Sequence, residues 1–83
     1  MYNVTYKFEN KKEYNKIIKL LNKRCFNPVN NAIMSFKQLK NIFKNTNIFY
    51  VTTEYNNCTG EFLYDILPDN YIENNKNLYK IIL

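Results

Sequence analysis

Eighty-three residues leave room for one domain, residues 1–83, near the smallest size that a single apolar core sustains unaided. With no His, a single Gly and two distant cysteines, Cys25 and Cys58, the chain excludes Ser/His/Asp catalysis, mixed Cys/His zinc sites and glycine-rich phosphate loops. A net charge of +5, from eleven Lys and one Arg against seven acids, favours acidic partners.

Residues 2–8 alternate, with Tyr2, Val4, Tyr6 and Phe8 on one side and Asn3, Thr5 and Lys7 on the other. A period of two predicts a half-buried strand. A helix follows: Asn10 is the N-cap and Glu13, three residues on, completes a capping box. Tyr14, Ile17, Ile18, Leu21 and Cys25 then recur at helical spacing, with Lys12, Lys16, Lys19 and Lys23 opposite. On this pattern Cys25 is a small core residue, and both cysteines are expected as unpaired thiols. Pro28, inside the Asn-rich stretch 27–31, marks the break.

Ser35 and Gln38 form a second capping box, and Met34 and Leu39 occupy the positions of a hydrophobic staple. Phe36, Leu39, Ile42 and Phe43 make the apolar face of this second helix. Lys37, Lys40 and Lys44 lie roughly opposite, and Asn45 ends it. An earlier start at Ala32 and Ile33 fits the same pattern.

From Ile48 the period changes. Ile48 to Tyr55 is rich in β-branched and aromatic residues and predicts a strand. Asn57-Cys58-Thr59-Gly60 turns the chain, and Glu61 to Leu67 is the hairpin partner. A four-residue loop puts Phe49, Val51, Thr53 and Tyr55 on one face with Phe62, Tyr64 and Ile66. A five-residue loop would bring Glu61 and Asp65 onto that apolar face, so burial selects the first register. Pro68-Asp69-Asn70 is a turn signal. Tyr71 to Glu73 then reads as a short strand, Asn74 to Asn77 as a turn and Leu78 to Leu83 as a last strand. A terminal helix beginning near Asn70 is the alternative.

The expected fold is α+β: a two-layer β-α-α-β-β(-β) chain with two helices packed on one face of a mostly antiparallel sheet. The start, Met1 to Tyr6, lacks the basic and apolar parts of a signal peptide, and no run nears the ~18 apolar residues of a membrane span. A cytoplasmic protein is the expectation, in the host cytoplasm if phage- or virus-encoded. Sixteen Asn, nine Ile and the excess of Lys over Arg point to an AT-rich genome, such as that of a low-GC bacterium, its phage or a virus.

Charge is unevenly placed. Residues 1–44 carry +8 and residues 45–83 carry −3. Helical spacing gathers Lys12, Lys16, Lys19 and Lys23 into one stripe and Lys37, Lys40 and Lys44 into another, a surface suited to phosphate backbones or an acidic protein. The single arginine, Arg24, speaks against sequence-specific base reading. On the other side of the sheet, Ile48, Tyr50, Leu63 and Leu67 form an apolar patch with the composition of an interface centre, unless residues 71–83 cover it. Glu54 and Asp65 share that face as well. They are the only hint of a metal-dependent nuclease, and solvent exposure explains them adequately.

The reading is therefore a non-enzymatic protein-binding domain, such as a viral inhibitor or regulator of a host nucleic-acid-processing complex. Nucleic-acid binding through the lysine faces is the alternative. No cofactor or metal is expected, and a homodimer is compatible with an exposed strand edge or joined sheet faces.

Overall fold

A computed structural model describes residues 2–74 and 79–81. The chain runs β1 (Tyr2–Phe8), α1 (Lys11–Lys23), β2 (Asn27–Pro28), a 3₁₀ turn (Asn30–Ile33), α2 (Phe36–Ile42), β3 (Phe49–Asn56), β4 (Glu61–Pro68), α3 (Asp69–Asn74) and β5 (Tyr79–Ile81). The fold is α+β, with one mixed sheet in the order β2-β4-β3-β1-β5. Its inner pairings, β1 with β3 and β3 with β4, are antiparallel. The outer two are short and parallel.

The hairpin adopts the register that the four-residue loop demands: Val51 faces Ile66, Thr53 faces Tyr64 and Tyr55 faces Phe62. On that face Phe49, Val51, Tyr64 and Ile66 are buried together with Phe8 of β1, Tyr14 and Leu21 of α1, Ala32, and Leu39 of α2. Both longer helices thus cover one side of the sheet. Phe8 sits at the centre, its ring 5.0 Å from that of Tyr14 and 5.4 Å from that of Phe49. Burying such a ring contributes about 1.5–3 kcal/mol from apolar surface alone.

Strand β1 departs from simple alternation. Val4 pairs with Thr52 but Tyr6 pairs with Val51, so the register shifts across Thr5. This β-bulge turns Val4 to the face of Thr52 and leaves Tyr6 and Phe8 on the helix face. The Thr5 hydroxyl donates to the Val51 carbonyl at 3.2 Å, anchoring the extra residue. The expected shared side for Val4, Tyr6 and Phe8 therefore fails at Val4.

Helix α1 starts as expected, with the Asn10 side chain accepting the Glu13 N–H at 2.9 Å. The Glu13 carboxylate accepts the Glu9 N–H and the Asn10 side-chain amide rather than the cap's backbone N–H. The helix ends two residues short of Cys25. Cys25 N–H donates to Asn22 O, and Phe26 N–H donates to Leu21 O, which together make a Schellman motif with Cys25 at φ 63°. Cys25 is consequently exposed and not a core residue. Tyr14 is fixed by donating its hydroxyl to the Met34 carbonyl.

Helix α2 has the complete Ser35/Gln38 capping box, and Met34 and Leu39 both join the core. It stops at Ile42, so Lys44 lies in the following turn. Ile42 is 59% exposed, because it lies about a quarter-turn from the direction shared by Phe36, Leu39 and Phe43. Ala32 and Ile33 belong to the separate 3₁₀ turn, where Ala32 is buried and Ile33 is exposed.

The expected strand at Tyr71–Glu73 is helix: α3 begins at Asp69, and its first N–H donates to the Ile48 carbonyl. Strand β5 falls within the expected 78–83, while residues 75–78 and 82–83 lie outside the described residues. The topology explains where α3 sits. The β1-to-β2 crossover moves toward one sheet edge and the β4-to-β5 crossover toward the other. A right hand, the rule for connections between parallel strands, takes two connections running in opposite directions over opposite faces and places α3 on the side away from α1 and α2. In agreement, Ile72 is buried but stands outside the main core cluster.

Candidate functional site

The face carrying α3 is not an open apolar patch. Ile48, Tyr50, Leu63 and Leu67 are all half-buried. Tyr50 pairs with Leu67 and Leu63 with Glu54, but the Thr52–Asp65 pair separates them, and both of its members are buried. Tyr50 bonds to the Asp69 carboxylate at the start of α3. Its hydroxyl is harder to ionise than usual, first through burial and then through that neighbouring charge and hydrogen bond.

Asp65 is only 6% exposed, so solvent exposure does not account for it. Its Oδ1 accepts the Asn31 N–H at 3.0 Å and the Ile66 N–H at 2.7 Å. The carboxylate thus caps the 3₁₀ turn, and its structural task is complete without a ligand. Burial pushes its pKa up, against the opposing hydrogen bonds from Ile66, Asn30, Asn31 and Ala32. Among the described residues no three Cys, Asp or Glu gather as a metal site.

The lysines divide into two groups. Lys12, Lys16, Lys19 and Lys23 on α1 are all exposed, as are Lys37 on α2 and Lys44 after it. Lys40 is half-buried and committed elsewhere: its ammonium donates to the Thr46 carbonyl at 2.9 Å and tethers the loop into β3. Among the described residues, the continuous basic surface is therefore the α1 stripe.

Two features were not read from the sequence. The first is an open groove of about 430 Å³, lined by Tyr6, Ile17 and Leu20 and by Lys16, Lys19 and Lys23. Tyr6 enters it because the bulge keeps that ring on the helix face. Leu20 was overlooked because it lies between the core stripe and the lysine stripe, although an apolar residue there was itself the available signal.

The second feature is an aromatic cluster at the hairpin end. The Tyr55 and Phe62 rings are 4.9 Å apart, and Phe26 is 5.3 Å from Phe62. Tyr55 and Phe62 remain 49% and 50% exposed. They occupy the apolar face as the register requires, but an eight-residue strand extends ~27 Å whereas the thirteen-residue α1 extends ~20 Å. The hairpin outruns its cover.

No helix among the described residues is long and apolar enough to cross a membrane. Comparison with family models, curated proteins and solved structures finds no match.

Proposed function

We propose that this protein is a non-enzymatic binding protein whose working contact is with another protein. The observation that carries this reading is the half-exposed aromatic pair Tyr55 and Phe62, backed by Phe26, at the end of the hairpin. Around it the chain is polar, with Asn57, Thr59 and Glu61 exposed. Aromatic rings inside a polar rim are the usual anatomy of an interface centre, where aromatic anchors carry most of the binding energy. The hairpin does not need these rings for its register, which the buried Val51–Ile66 pair and the Thr53–Tyr64 pair, with Tyr64 buried, already hold. A small regulator or inhibitor from an AT-rich viral or phage genome would suit this size and composition.

Nucleic-acid binding is the second reading, favoured by the exposed α1 lysine stripe. One experiment separates the two. Wild-type protein and a Tyr55→Ser/Phe62→Ser variant are used to capture partners from cells that make the protein, and both are titrated with single-stranded and duplex DNA and RNA at low salt. The protein-binding reading expects a captured protein that the double variant loses by about tenfold or more. Unchanged capture by the variant overturns it. Nucleic-acid binding that weakens steeply with salt, with no protein captured, transfers the function to the lysines.

A further inference from the structure

We infer that the groove between α1 and β1 is the seat of an acidic amphipathic helix belonging to a partner protein. The inference rests on the protein-binding reading but uses a surface distinct from the hairpin aromatics. Tyr6, Ile17 and Leu20 supply the apolar floor, and Lys16, Lys19 and Lys23 supply the rim. Lysine stems can lie along such a floor while their ammonium groups stay in water, so the two properties coexist without desolvating a charge. At about 430 Å³ the groove falls within the range of clefts that bind ligands, roughly 300–1,000 Å³.

The spacing of the charges selects the occupant. From Lys16 to Lys23 the rim spans two helical turns, ~10 Å along α1. A lone carboxylate head group, as on an anionic amphiphile, would meet one ammonium and leave the others unused. A nucleic-acid backbone would meet all three but would set sugars and phosphates against Tyr6, Ile17 and Leu20. A helix lying beside α1 repeats its side chains at the same pitch, so Glu or Asp at i, i+4 and i+7 faces the three lysines in turn. An adjoining row of Leu or Ile on the same helix fills the floor, the recognised mode of a helix in a groove.

The test uses the full chain and a fluorescein-labelled helical peptide with Glu at i, i+4 and i+7 beside a row of Leu, read by fluorescence anisotropy. Saturable binding is expected, with a loss of about tenfold or more in Leu20→Gln and in the Lys16→Glu/Lys19→Glu/Lys23→Glu variant. The charge-reversed variant should in turn gain binding to the same peptide carrying Lys in place of Glu. A far-UV circular dichroism spectrum and thermal midpoint matching wild type show that the variant is folded, so that loss and gain both report on the groove. Ile42→Ala, at an exposed site outside both surfaces, should bind the acidic peptide as wild type does. Absence of binding, equal binding by Leu20→Gln, or no gain on charge exchange overturns the inference. So does tighter binding of laurate or of a single-stranded oligonucleotide that displaces the peptide. If the peptide fails while partner capture still depends on Tyr55 and Phe62, the groove's occupant is rejected and the protein-binding reading stands. If the peptide binds and capture ignores those rings, the hairpin reading falls alone.

Discussion

The Asn31 N–H donates to Oδ1 of Asp65 at 3.0 Å, and the Asn31 side-chain amide donates to the neighbouring Ile66 carbonyl at 2.8 Å. Through these bonds the 3₁₀ turn takes over from β2, which pairs with β4 for only two residues. An edge strand that would otherwise present free backbone groups is closed by a turn and an aspartate.

Asp65 should make stability depend on pH with a definite sign. Burial raises its folded-state pKa above the ordinary 3.8, so the folded state holds the proton more tightly than the unfolded chain. Its contribution is therefore greatest below the unfolded pKa and declines as pH rises through the folded value. Asp65→Asn keeps an oxygen acceptor but cannot ionise. Urea unfolding at about pH 3.5 and about pH 7 should show wild type losing ground to this variant as pH rises. Asp65→Ala leaves the Asn31 N–H without its acceptor and should cost about 1–3 kcal/mol. A wild type that gains on Asp65→Asn with rising pH would contradict the assignment.

Cys25→Gly should stabilise the protein. Cys25 occupies the left-handed position of the Schellman motif, where a side chain costs ~1–2 kcal/mol and glycine has no penalty. The extra freedom of glycine in the unfolded chain offsets about 0.4–1 kcal/mol of that gain. A net improvement of roughly 0.5–1 kcal/mol follows, visible as a thermal midpoint higher by a few degrees. A lowered midpoint would mean that the thiol side chain makes a contact worth more than the backbone relief.

Phe8→Ala tests the centre of the core. The ring is fully buried and lies close to Tyr14, Phe36 and Phe49. Truncation should cost about 3–5 kcal/mol, a large share of the ~5–15 kcal/mol available to a small domain. Far-UV circular dichroism at room temperature should show a shallow or lost unfolding transition, whereas Ile42→Ala, at an exposed site, should leave it nearly unchanged.

Patterns of short range were legible in the residues. The capping box at Ser35 and Gln38 needs only four neighbours in sequence, and the Phe49/Val51 and Tyr64/Ile66 alternation fixes the hairpin register because a slip would turn Glu61 and Asp65 onto the apolar face. The end of α1 was less legible, since Cys25 satisfies the helical spacing and nothing in its chemistry announces a left-handed backbone. For Tyr71 to Glu73, a run of three residues is too short for either period to declare itself.

The candidate surfaces depended on distant parts of the chain. The sequence by itself determined two amphipathic helices, a hairpin with one apolar face and a concentration of lysine on α1, because each follows from periodicity within a single element. Only the tertiary structure decided that Tyr6 joins Ile17 and Leu20 beneath three lysines, that α3 passes behind the sheet at Tyr50, and that Tyr55 and Phe62 lie beyond the helices' reach. Those outcomes depend on a one-residue bulge, the hand of a crossover and the different rise of strand and helix, none of which is a property of any local run of residues.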